Sequence, residues 1–358
     1  MLIFKKIVAL FHSLSKEIGG YFLKLFCIIL LFVAVSCIDE PQYSDTPKDN
    51  FEALWKVMDE HYCFFDLKKI DWNEVHTRYG ARISNKMNEE QLFGVLSEML
   101  DELKDGHVNL STSFDMSRYW DWFESYPSNF EPTIQKNYLG NDYLITSGIK
   151  YKVLSDNVGY MYYKSFEDEV GDGNLDQVIA RFGLCNGIII DVRDNGGGSL
   201  TNVDLIASRF LNERKLVGYI SHKTGKGHSD FSAPYPKYLS TTGRLRYQKP
   251  VVVLTNRHCF SSANDFVSVM RQLPNVTIMG DRTGGGSGLP FSSEMPNGWS
   301  IRFSASPMYD ADMNQTEMGI EPDPGQKVNM LDSDMQKGID TIIEAARKLI
   351  AEKSNAGF

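Results

Sequence analysis

From Phe51 the apolar positions recur with the period of a helix. In FEALWKVMDEHYCFF, Phe51, Leu54, Trp55 and Met58 fall at i, i+3, i+4 and i+7 and share one face. DWNEVHTRYGARI predicts a second helix with Asp71 as its N-cap. NEEQLFGVLSEMLDEL predicts a third, capped by Asn88 and ending before KDGHVNL. Residues 51–105 read as a small helical bundle, and with the strand-like residues that follow, the N-terminal helical domain spans 51–110. Residues 111–150 form a connecting region of loops and short strands, dense in aromatics from Arg118 to Lys150. Aromatic density of that kind serves packing more often than ligand contact.

From Tyr151 the pattern changes. NVGYMYYKSF alternates like a strand, LDQVIARFG is helical, and NGIIIDVRDN is an apolar run of the buried-strand type leading into GGGS. TNVDLIASRFL is helical and KLVGYISHKTG strand-like. Residues 222–248 are polar with Gly and Pro and predict an excursion loop. KPVVVLTN, the helix SSANDFVSVMRQL, the strand VTIMGDRT, the late strand WSIRFSASPMYDAD and the closing helix SDMQKGIDTIIEAARKLIAEK complete a core over 151–350. Strands separated by helices imply an α/β fold with a largely parallel or mixed sheet under helical cover.

The N-terminus has a different character. Lys5, Lys6 and Lys24 precede an apolar run from Leu25 to Val35, then Ser36 and Cys37. A basic segment, a short apolar run and a small residue before a cut describe a secretory leader over 1–36. The run is shorter than the roughly 20 residues of a comfortable membrane span. AVSC resembles a bacterial lipobox, which implies that Cys37 becomes the lipidated first residue of the mature protein. Residues 37–50 then form a polar tether, with Pro41 and Pro47. The implied location is the cell envelope, lipid-anchored, in the outer membrane with a periplasmic or surface face.

Composition narrows the function classes. The formal charge of −9 argues against a nucleic-acid partner. Besides Cys27 and Cys37, three cysteines remain, Cys63, Cys185 and Cys259, with no CxxC spacing, so no zinc site is expected. They are either one disulfide plus a thiol, with no pair singled out, or free buried thiols.

Three stretches carry candidate chemistry. In VVVLTNRHCFSSANDF, Ser261 and Ser262 stand where an apolar strand meets a helix. A serine there is either an N-cap or a nucleophile beside unpaired backbone N–H groups. IIIDVRDNGGGSL puts three glycines after a strand, as a tight turn or as an exposed set of N–H donors; it lacks the spacing and Lys of a phosphate loop. DELKDGHVNL places His107 between a helix end and a strand, where it is a surface residue or a general base.

Together, and in this order, these stretches resemble the family of the C-terminal processing peptidases, the tricorn core and the interphotoreceptor retinoid-binding protein repeats. DVRDNGGGS is similar to the family's D-x-R-x-N-x-G-G turn, VVVLTNRHCFSSANDF to its nucleophile segment, MGDRTGGG to the following strand and turn, EMGIEPD to its late E-x-G-V-x-P-D stretch, and LKDGHVNL to its DGHT element. The resemblance spans about residues 50–350. It implies a ClpP/crotonase-like spiral of ββα units, preceded here by the small helical domain. About 45 residues separate His107 from the first core strand, too few for the family's PDZ domain.

The resemblance implies Ser261 as nucleophile, with Ser262 as the alternative. Asn264 stands where the family has Glu. The processing-peptidase branch uses a Lys at the position of Gly286, so the Ser-Lys dyad is absent and the tricorn-like branch is implied. In that branch His107 is the base and Glu317 orients it, with Glu321 as fallback. Gly197 and Ser262 then supply the oxyanion N–H groups. Gly106 occupies the place of a polar helper. His258 lies near the nucleophile on the strand side, and His222 and His228 lie on the long loop. The implied activity is that of a serine peptidase acting on peptides or unfolded protein termini outside the cytoplasm, with no metal or organic cofactor. The rivals are a non-catalytic binding module on the same fold and a serine esterase using the same residues.

Overall fold

The computed structural model describes residues 42–356; the leader and Cys37 lie outside them. The first helix, α1 (Pro47–His61), starts earlier than its apolar pattern suggests. Thr46 caps it by accepting from the Asp49 N–H, and Pro47 takes the first-turn position, where its missing N–H costs nothing. The last residues assigned to the tether are therefore helical. Then follow α2 (Phe65–Lys68), α3 (Trp72–Gly80) and α4 (Glu89–Asp101). Asp71 caps α3, and Asn88 with Gln91 forms a reciprocal capping box on α4, as their side-chain chemistry predicts.

After β1 (Asn109–Ser111) the connecting region folds as two short helices, α5 (Asp121–Glu124) and α6 (Pro132–Leu139). The core runs β2 (Leu144–Thr146), β3 (Ile149–Val153), β4 (Val158–Tyr163), α7 (Asp172–Phe182), β5 (Gly187–Asp191) and α8 (Leu200–Ala207). It continues with β6 (Lys215–Ile220), β7 (Tyr235–Leu239), β8 (Val251–Thr255), α9 (Ser262–Arg271) and β9 (Val276–Gly280). A hairpin, β10 (Gly288–Glu294) and β11 (Ser300–Tyr309), precedes α10 (Asp332–Met335) and α11 (Thr341–Asn355).

Two sheets organise these elements. One has the order β2-β3-β4-β5-β8-β9. Its β4, β5, β8 and β9 are parallel and joined by strand–helix steps. β5 and β8 are buried at every residue, which is why they read as unbroken apolar runs. In the other sheet β11 is the hub, pairing with β1, β10 and β6. β7 pairs with β6, so the region predicted as a loop over 222–248 contains an edge strand. Its alternation is interrupted by Pro236 and its residues are mostly exposed, which hides it from a hydrophobic pattern.

The N-terminal helices share a core with β11. Leu54, Met58 and Leu96 pack in the same core as Trp299, Ile301 and Phe303 of the hairpin region. The bundle thereby closes over β11, and its last turn delivers His107 to the sheet. The closing helix is also divided: Gly338 takes a left-handed φ of 70°, and Asp340 caps α11 anew. Cys63, Cys185 and Cys259 are free thiols.

Candidate active site

β8 drives an apolar strand into the centre of the sheet and releases the chain at Asn256. Five residues later Ser261 adopts φ 56° and ψ −121°, a conformation that an L residue takes only under constraint. The constraint is visible: Phe260 N–H donates to Asn195 O at 3.1 Å and Ser261 N–H to Gly285 O at 2.9 Å. Although Ser261 occupies the N-cap position of α9, its side chain caps nothing. The neighbouring Ser262 is buried, and its hydroxyl donates to Gly198 O at 2.6 Å. The two adjacent serines are thus separated, one hydroxyl bound to the backbone and the other turned to His107.

His107 Nε2 lies 3.0 Å from Ser261 Oγ, across 154 residues of sequence. The turn after α4 is held by Asp105, whose Oδ1 accepts the His107 N–H at 2.8 Å. Pairing of Asn109 with Arg302 then fixes the strand that follows. The imidazole packs against Phe260, with ring centroids 4.7 Å apart, and is buried. Burial pushes its pKa down to about 4, with Asp105 pulling the other way. His107 is therefore neutral at neutral pH, as a base facing a hydroxyl must be.

Two pH effects follow. Activity dependent on neutral His107 should show an acid limb near pH 4, read as kcat/KM against pH; a limb near 6.5, the ordinary imidazole value, would contradict the buried geometry. Between those values the unfolded chain binds a proton that the folded chain refuses. This group's contribution to stability therefore falls as pH drops from 6.5 towards 4.

The expected contact between Glu317 and His107 is not made. Glu317 Oε1 lies 3.0 Å from Lys68 Nζ, and Oε2 accepts the Ser287 N–H at 2.8 Å. His107 Nδ1 is buried without a hydrogen-bond partner among the described residues. The reason is Lys68, at the end of α2, which reaches in and captures the carboxylate. The same ammonium lies 3.5 Å from Asp105 Oδ2, which also accepts from Tyr62 OH at 2.9 Å. One cation is thus shared by two buried carboxylates. Burial and the proximity of Asp105 raise Glu317 to about 7. Lys68, with His107, outweighs burial at Asp105 and holds it below the usual range. One proton on Glu317 leaves the cluster neutral, as a buried site demands.

The oxyanion donors also differ from expectation. Gly197 N–H donates to Asn195 Oδ1 at 2.9 Å and is not available. Gly197 serves instead by its backbone: at φ 104°, a Cβ there would lie 2.8 Å from Ser261 Cβ. Ser262 N–H, in the first turn of α9, has no protein acceptor among the described residues, and the same holds for Gly198 N–H. Both residues line one cavity with Ser261.

The remaining candidates are engaged elsewhere. His258 pairs with Asp194 at 3.3 Å, His228 with Asp59 at 2.7 Å, and His222 bonds Ser306 at 3.1 Å. Glu321 interacts with Arg282 and Lys327 at the surface. Asn264 is structural: its amide accepts from Thr283 and donates to Thr316 O. At Gly286 a Cβ would meet the Phe260 ring at 2.5 Å, so the position has no room for a dyad lysine. At Gly106 a Cβ would meet Trp122 Nε1 at 2.6 Å, so an indole fills the helper's place.

A model for peptidase family S41 matches residues 157–324, and one for the tricorn protease C1 domain matches residues 43–101. A crystal structure from Parabacteroides merdae is 57% identical, covering 88% of this chain and all of that one, with a TM-score of 0.84. The chain belongs to peptidase family S41. Mature CPAF has the same fold, at 13% identity, 87% and 98% coverage and a TM-score of 0.66. The carboxy-terminal processing protease CtpA of Bacillus subtilis is 22% identical over 47% of this chain and 34% of its own length. The chain spans about a third or less of the curated relatives it matches.

Sequence reasoning missed Lys68, Asp105 and the use of Arg193. Arg193 is fully buried and bidentate to Asp191, and it also bonds Asp340, so the D-x-R turn ties β5 to the cap of α11. The adjacency of Asp105 to Gly106-His107 was a signal for the first carboxylate. Nothing in the pattern of α2 singles out Lys68.

Proposed function

We propose that this S41 chain is a serine endopeptidase or processing peptidase acting on peptides or unfolded protein termini outside the cytoplasm. The observation that carries the reading is the 3.0 Å approach of neutral, buried His107 to the hydroxyl of the strained Ser261. Ser261 Oγ attacks the scissile carbonyl while its proton passes to His107 Nε2, and the same proton later goes to the leaving amine. The N–H groups of Ser262 and Gly198 face the developing oxyanion. Glu317 completes a Ser-His-Glu arrangement through the cluster rather than by a direct bond. Asp105 is the carboxylate whose charge draws on the imidazolium as it forms, and Glu317 holds Lys68 in place beside it. The leader and Cys37 support an envelope location through a lipid anchor.

The test uses the full chain purified from membranes. Amide-bonded peptides and an unfolded protein should be cleaved, a fluorophosphonate probe should label Ser261, and the mature N-terminus should be lipidated Cys37 by mass spectrometry. Ester turnover without amide turnover would favour an esterase. Saturable binding with neither would favour a binding module.

A further inference from the structure

Arg302 stands on β11 between Asn109 of β1 and Ser292 of β10. Its neighbours Ile301 and Phe303 are buried in the core beneath the helices, so strand alternation turns Arg302 to the opposite face. There it lines a cavity of about 150 Å³ together with Ser261. The guanidinium is half-buried, yet among the described residues it makes no ion pair, hydrogen bond or ring contact. Asp105, the carboxylate that acts on it, is already held by Lys68, Tyr62 and the His107 N–H. Asp265, the acidic residue lining the cavity, is paired with Lys237 at 2.7 Å.

A partly desolvated cation without an acceptor is unfavourable, and burial indeed lowers its pKa. Ser287 lines the same cavity, but its hydroxyl is buried and, among the described residues, without a partner. Leu289, Pro290 and Met308 supply apolar surface beside them. The cavity therefore presents a forked donor beside apolar surface, next to the nucleophile. That is the chemistry that receives a carboxylate on a short aliphatic arm.

We propose that Arg302 is a specificity-determining residue of this site and that its guanidinium receives a carboxylate of the substrate. The carboxylate comes from an acidic side chain flanking the scissile bond or from the C-terminus of the substrate chain. The inference rests on the peptidase reading and narrows it to acidic or chain-end substrates.

The experiment uses matched fluorogenic peptides with Glu, Gln or Leu before the cleaved bond, each with a free or an amidated C-terminus. Wild-type kcat/KM should favour the carboxylate-bearing peptide over its amide counterpart by about tenfold to a hundredfold. Arg302→Gln should bring that ratio close to one, and Arg302→Lys, which keeps a point charge, should retain part of it. Preference lost on Glu to Gln assigns the carboxylate to the side chain; preference lost on amidation assigns it to the chain end. A wild-type ratio near one, or a ratio unchanged in Arg302→Gln, overturns the proposal. Binding of the same labelled peptides to Ser261→Ala, followed by fluorescence anisotropy, reads the preference without turnover. Carboxylate-selective binding that Arg302→Gln abolishes, in a protein that cleaves no peptide, keeps the role of Arg302 and sinks the peptidase reading. Cleavage without selectivity does the reverse, and neither cleavage nor selective binding overturns both.

Discussion

Ser261→Ala should lower peptide turnover by about 10³-fold or more and leave the fold intact. The hydroxyl is the group facing His107 Nε2, and removing a nucleophile leaves only what binding and the oxyanion donors supply. A sharper form of the experiment replaces Ser261 with glycine. At φ 56° and ψ −121° the serine backbone is strained, at a cost of about 1–3 kcal/mol, which glycine would relieve. Against that, glycine adds roughly 0.5–1 kcal/mol of unfolded-state entropy. Ser261→Gly should therefore be more stable than wild type by about 1 kcal/mol while equally inactive. The denaturation midpoint of both variants checks this. A Ser261→Gly protein less stable than Ser261→Ala would show that the conformation carries no strain, and a Ser261→Ala protein that still cleaves would remove Ser261 from the chemistry.

Lys68→Met should have the second large effect, on stability. Lys68 is the cation shared by Asp105 and Glu317, and all three side chains are buried. Removing it leaves two carboxylates in low dielectric, which costs about 3–5 kcal/mol. The loss should depend on pH with a definite sign. Glu317 is already raised to about 7 by burial and by Asp105, and without Lys68 it rises further. Its protonation neutralises one charge, so the penalty is largest above pH 7 and shrinks in acid. The double variant Lys68→Met/Glu317→Gln should recover part of the lost stability at pH 8, because the pair is coupled. Urea denaturation of the three proteins at pH 5 and pH 8 measures this. Equal destabilisation at both pH values, with no recovery in the double variant, would mean that Lys68 acts by packing alone.

Much of the scaffold is legible in one dimension. Buried parallel strands such as β5 and β8 have no polar face, and α3 and α4 carry their own caps. Those features are local, so composition and periodicity carry them. β7 and the break before α11 were not legible in the same way. The first is an exposed edge strand, and the second depends on Gly338 and on a cap shared with a buried arginine. The site divides likewise. Residue types and order pointed to Ser261 and His107, but which hydroxyl faces the imidazole is decided by a hydrogen bond from Ser262 to Gly198.

The sequence by itself determined the alternation of buried strand and helix, the caps of α3 and α4, the glycine-rich turn and the inventory of reactive side chains. Each depends on neighbours a few residues apart. Only the tertiary structure decided the partners. It set Lys68 between Asp105 and Glu317, gave the Gly197 N–H to Asn195, filled the space at Gly286 with the Phe260 ring, and left Arg302, among the described residues, without an acceptor beside Ser261. A charge finds its partner through space, and the strength of that pairing depends on how much water the surrounding chain excludes. Neither the separation nor the burial is written in the spacing of residues along the chain.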